Sequence, residues 1–238
     1  MEYLNLQKKY VITLIMNEFE EITLQVVVRT HQLTGRITRR CWFLDGKPHR
    51  SDGPAVEEFD HETGRLLKRQ FYRGGVLHAA DGAASAEWDA ATGALISETY
   101  ANYGDLHRRH GLPAKWRRSP TTGVMTLEEY WVQGDLHRED GPAAIMRDDI
   151  TGIITREEWL SHGEFHRESG SPAVIEIQAE TKLVISQEYW ITGKKHRDDG
   201  PAIIERHPVT AEILHQEWWQ EGNQSPKIEH TVHTELKP

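Results

Sequence analysis

Cysteine is almost absent: Cys41 is the only one among 238 residues. That excludes an internal disulfide framework and any cysteine-based zinc cluster. Long apolar runs are missing as well. The longest, Val11–Met16, is interrupted by Thr13 and falls far short of the roughly 20 residues a membrane-crossing helix needs. The opening Met1-Glu2-Tyr3-Leu4 lacks the basic and apolar blocks of a secretory signal, so a cytoplasmic location is expected. No phosphate-cradling glycine loop, G-x-S-x-G, H-E-x-x-H or EF-hand pattern occurs, and an enzyme is not expected. Hydrophobic residues make up 37% and mean hydropathy is -0.64, too polar for a thick two-layer α/β core. Eight Trp, seven Tyr and five Phe are nonetheless too many for a disordered chain.

A surplus of basic charge is missing too. The formal net charge is -9, which disfavours direct nucleic-acid binding. The charge is uneven: residues 1–119 carry 17 basic and 15 acidic side chains, residues 120–238 carry 11 and 22. Such asymmetry orients an approaching partner without dictating a fold.

What is present is a repeat. Gly46–Ala55, Gly134–Ala143 and Gly193–Ala202 share the pattern G-x-x-H-R-x-D-G-P-A, with looser copies at Gly75–Ala84, Gly104–Ala114 and Gly163–Ala173. The motif histidines His49, His78, His107, His137, His166 and His196 recur every 29 or 30 residues. Thr-Gly pairs follow the same period at Thr34, Thr63, Thr92, Thr122 and Thr151, then decay to Thr181-Lys182 and Thr210-Ala211. An aromatic column runs through Trp42, Phe71, Tyr100, Tyr130, Trp159, Tyr189 and Trp218.

Each repeat reads as aromatic strand, motif loop, Pro-Ala-led strand and Thr-Gly turn. The strands are short and β-branched, as in Pro172–Ile177, with proline only at the first position, where a strand tolerates it. The Thr-Gly turn requires a residue at positive φ, which glycine supplies. The expected fold is therefore all-β: an elongated antiparallel meander, solenoid-like, with two strands per repeat. Residues 1–37 form an N-terminal hairpin cap and half repeat, 38–214 six repeats, and 215–238 a degenerate capping repeat. That last segment omits the His-Arg-x-Asp-Gly stretch and ends with Ile228, Val232 and Leu236 on one parity, as expected of a closing strand and of an array cap.

With these residues in view, the chain resembles MORN-like β-repeat proteins, through the aromatic column and loop glycines of residues 22–229. It departs from them in its longer period and in the H-R-x-D-G-P-A loop, which is closer to a variant found in bacterial, phage and giant-virus proteins. The resemblance implies a single-sheet array and a scaffolding or protein-contact role. By analogy, it points to an inhibitor or immunity-type protein of a phage or mobile element.

The histidine column invites a metal reading. Successive copies, however, lie two strands apart, roughly 9–10 Å, whereas ligands sit about 2 Å from a shared ion. His49, His78, His107, His137, His166 and His196 are therefore assigned to structure: packing in the stack and bonding loop backbone. The arginines Arg50, Arg138 and Arg197 are placed to pair with Asp52, Asp140 and Asp199. A second aromatic column on the opposite parity contains Trp131, Trp190 and Trp219, with Glu129, Glu158, Glu188 and Glu217 beside it. Side chains two apart on a strand share a face, so these seven residues are the expected contact surface for a protein partner of basic character. No cofactor and no membrane contact are expected. A metal-binding histidine ladder and a membrane-surface scaffold are the alternative readings.

Overall fold

The computed structural model describes residues 6–17 and 20–225, and these are all-β, with no helix among them. The closing strand expected at Ile228, Val232 and Leu236 lies outside the described residues. The chain divides into two compact units, residues 1–135 and 136–238.

In the first unit, Leu6–Asn17 and Glu20–Thr30 pair as the expected hairpin, with Tyr10 opposite Val26. Glu20–Thr30 then pairs with Ile37–Leu44, which pairs with Val56–Phe59. The meander continues through Leu66–Gln70, Ser85–Trp88, Leu95–Thr99, Lys115–Arg118 and Met125–Glu129, each antiparallel to the strand before it. The second unit repeats the scheme in Ala144–Arg147, Ile154–Glu158, Val174–Ile177, Val184–Glu188, Ile203–Arg206 and Ile213–Gln220. The expected antiparallel meander, with two main strands per repeat, is what forms.

The Thr-Gly turn closes these hairpins by a shared set of bonds. Gly64 N–H donates to the Asp60 carbonyl at 2.9 Å and Asp60 N–H to that of Arg65 at 2.9 Å. The Asp60 carboxylate accepts from Thr63 N–H and Oγ1, both at 2.6 Å. Asp89 and Asp148 do the same for Thr92 and Thr151. Gly64 sits at φ +75, a conformation that costs an L side chain about 1–2 kcal/mol. Where the Thr-Gly pair decays, Lys182 and Ala211 adopt φ 60, so the turn outlasts its preferred residue. A one-residue register shift stands beside the turn, for example between Glu58 and Phe59, a bulge that adds local twist.

The motif loop holds a second, smaller hairpin that the sequence reading did not include. Tyr72–Arg73 pairs with Val76–Leu77, and Trp190–Ile191 with Lys194–Lys195. Their tight turns put both central residues at positive φ, as at Tyr103 (47) and Gly104 (97) or Thr192 (46) and Gly193 (70), the signature of a two-residue type I′ connection.

The arginine after the motif histidine fastens the loop. Arg50 lies 4.3 Å over the Trp42 ring, Arg108 3.8 Å over Tyr100, Arg167 3.7 Å over Trp159 and Arg197 4.0 Å over Tyr189. Each also donates to the carbonyl of the loop proline, for example Arg167 to Pro172 at 3.1 Å. The Arg50–Asp52 and Arg197–Asp199 contacts are present at 2.9 and 2.8 Å. A Cβ at Gly53 would stand 3.0 Å from the Arg50 guanidinium, so this glycine serves close approach rather than φ. Beneath the loops, Ala55, Ala84, Ala114, Ala143, Ala173 and Ala202 are 0% exposed.

Several carboxyls are held below their ordinary range. Arginine hydrogen bonds do this at Asp52, Asp140 and Asp199; Thr63 does it at Asp60; the backbone N–H groups of Thr92 and Thr151 do it at Asp89 and Asp148. A carboxyl depressed in the folded state stabilises the fold above its unfolded value, and that contribution disappears as pH falls through the folded value. The melting temperature is therefore expected to be flat from neutral pH to about 5 and to fall below about pH 4. Thermal melts across this range check it; a constant value down to about pH 2.5 would contradict the assignment.

Candidate binding face

Alternation along each strand divides the sheet into two faces. Trp159 N–H donates to the Ala173 carbonyl, which sets these two residues opposite each other on the aromatic-column face, so Val174, Glu158 and Glu188 point the other way. Carboxylates gather on that opposite face in the second unit. Glu158 lies opposite Val174, Glu176 opposite Arg156 and Ser186, Glu205 opposite Ser186 and His215, and Glu217 opposite Ile203. Five neighbouring strands thus contribute one glutamate each: Glu158, Glu176, Glu188, Glu205 and Glu217. At roughly 4.8 Å per strand the row is about 19 Å long.

Two of these glutamates serve the expected tryptophans. The Trp190 indole N–H donates to Glu188 at 3.0 Å and that of Trp219 to Glu217 at 2.6 Å. In the first unit, Trp131 donates to Glu129 at 3.0 Å, and Lys115 Nζ reaches the same carboxylate at 3.1 Å. The tryptophans are half-buried rather than free-standing. Trp219 packs against Tyr189, Ala202 and Ile204, and Trp190 meets Phe165 at 5.5 Å. Lys195 lies over both rings, at 5.5 Å from Trp190 and 5.1 Å from Trp219.

The expected glutamate column is correspondingly recessed. The side chains of Glu129, Glu158 and Glu217 are 14%, 17% and 23% exposed. Arg156 binds Glu158 at 2.6 Å and also pairs with Glu176. Hydrogen bonds from His215 and Trp219 lower the Glu217 carboxyl below its usual range. The carboxylates open to solvent are the two that the sequence reading passed over, Glu176 at 38% side-chain exposure and exposed Glu205. Glu205 has no ion pair among the described residues. Their signal was available: Glu58, Glu87, Glu176 and Glu205 occupy one repeat position in the Pro-Ala-led strands.

The motif histidines lie on the loops. His49 Nδ1 accepts from Gly74 N–H at 3.0 Å, His78 from Tyr103 at 3.2 Å, His137 from His162 at 3.3 Å, His166 from Thr192 at 3.2 Å and His196 from Glu221 at 3.2 Å. In each case the donor is the first turn residue of the next repeat. The following glycine also docks, as Gly193 N–H does on the Phe165 carbonyl at 3.0 Å. The capping repeat keeps this turn, Glu221-Gly222, and bonds it to His196 and Lys195. Among the described residues no group of three His, Cys, Asp or Glu side chains is disposed to hold a metal ion. Cys41 is buried in the strand Ile37–Leu44, and burial pushes its thiol up despite Arg39 beside it.

No protein-family model, no curated protein and no solved structure matches this chain.

Proposed function

We propose that the chain is a non-catalytic binding protein, an inhibitor or scaffold, that engages a basic partner protein through the carboxylate-bearing face of residues 136–238. The row of one glutamate on each of five neighbouring strands carries this reading. Glu176 and Glu205 are its open centre, while Trp190 and Trp219 add half-buried aromatic edges, the side-chain type most enriched at binding hot spots. Local charge of one sign accelerates encounter with an opposite partner and selects against acidic ones. The resemblance to MORN-like arrays supports the same class of role. A histidine ladder for metal is less favoured because five motif histidines commit Nδ1 to backbone N–H groups.

Affinity capture with the wild-type chain, followed by titration of the recovered partner, tests this. Glu176→Lys with Glu205→Lys is expected to weaken the complex at least about tenfold and to flatten its salt dependence. Glu205→Lys alone, at an exposed position with no ion pair among the described residues, is expected to leave the melting temperature unchanged. Glu176→Lys gives up the pair with Arg156 and sets a lysine opposite it, and is expected to lower it slightly. An unchanged association constant would remove this face from consideration.

A further inference from the structure

Consecutive motif loops enclose a groove between them, and the grooves differ. The one between the loops of His166 and His196 has a volume of about 540 Å³, with Arg167 and Trp190 in its lining. The one between the loops of His78 and His107, wholly within the first unit, reaches about 1020 Å³. The difference has a sequence origin. Ala79 stands where the other repeat has Arg167, and Ala101 where it has Trp190. The charge changes at the same place: Arg109 and His110 replace Asp198 and Asp199. Simple decay of a repeat removes side chains, but it does not exchange two carboxylates for a guanidinium and an imidazole beside the space that it opens.

Three further features belong to this cleft. His107 is the one motif histidine whose Nδ1 is buried without a hydrogen-bond partner among the described residues. Asp81 holds the position whose counterparts Asp52, Asp140 and Asp199 bind the motif arginine. With Ala79 in that arginine's place, Asp81 has no ion pair among the described residues. Tyr103 stacks on His78 at 4.1 Å and 19°, making a flat wall. The cleft therefore offers room, a planar surface, the guanidinium of Arg109 beside the imidazole of His110, and the carboxylates of Asp81 and Asp105, neither in an ion pair among the described residues.

From this we infer that the cleft binds a small molecule that joins a flat, N–H-bearing ring of purine size to an anionic group, the class represented by purine nucleoside monophosphates. The ring lies in the cleft beside the Tyr103–His78 wall, its N–H groups donate to the carboxylates, and Arg109 with His110 holds the anion. The volume is at the upper end of small-molecule sites, roughly 300–1000 Å³. This inference stands apart from the carboxylate face and does not depend on it.

Calorimetric titration of the full chain with AMP, GMP and inorganic phosphate tests it. At least one nucleotide is expected to saturate a single site with a Kd below about 1 mM, and phosphate to bind at least about tenfold more weakly. Asp81→Ala removes an exposed carboxylate that holds no ion pair among the described residues, so it is expected to keep the melting temperature while reducing nucleotide affinity at least about tenfold. Arg109→Asp, on an exposed position, is expected to do the same. Three results would each overturn the inference: no saturable binding of either nucleotide, nucleotide affinity unchanged by both Asp81→Ala and Arg109→Asp, or phosphate binding as tightly as the nucleotides.

Discussion

Ala173→Leu is expected to cost the fold about 3 kcal/mol, a drop of roughly 6–12 °C in melting temperature. Ala173 is 0% exposed. Its N–H donates to the Glu188 carbonyl and its carbonyl accepts from Trp159 N–H, both at 2.7 Å, so neither strand can withdraw to admit a larger side chain. The neighbouring Trp159 ring is itself covered by Arg167 at 3.7 Å. Inserting three carbons forces either an off-rotamer side chain or loss of that lid. Ala90→Leu, on an exposed turn, is expected to stay within about 0.5 kcal/mol of wild type. Differential scanning calorimetry of both variants separates the cases; equal melting temperatures would mean that the alanine column is not tightly enclosed.

His166→Ala is the second effect, about 1 kcal/mol, because it removes the hydrogen bond to Thr192 N–H, which water at this exposed turn replaces only in part, and opens a gap between loops. His107→Ala provides the internal contrast. Its Nδ1 makes no such bond, so the loss is expected to be clearly smaller. Denaturant unfolding of the two variants measures the difference. Equal losses would assign the histidine's contribution to ring volume instead of the bond. If partner binding vanished while the melting curve of His166→Ala stayed unchanged, the structural assignment itself would fail.

The strand order was legible because its causes are local. Pro-Ala-led β-branched segments, aromatic segments and Thr-Gly turns recur in sequence, and each acts within a few residues. The two-residue hairpin inside the motif loop was hidden. Tyr103, Gln133, His162 and Thr192 occupy its first turn position at φ 46–51, and no common residue type marks that position. The 30-residue steps also acquired a cause only in three dimensions. Leu112 and Ser171 are inserted before the loop proline, and His110 and Ser169 then take positive φ, at 68 and 67. The binding face was half legible. Parity placed Glu188 and Trp190 together correctly, yet it did not disclose that the indole would occupy the carboxylate, or that Glu176 and Glu205 would remain the open acids.

From its own order of residues this chain determined the period, the antiparallel hairpins and the conformation at their glycines, since steric limits and alternation operate between near neighbours. The tertiary structure alone decided which loop seats on which turn, which glutamates stay in water and where a groove widens. Those outcomes depend on side chains brought together from repeats about 25 residues apart, as Thr192 N–H is with His166, and contact of that kind has no expression in local sequence.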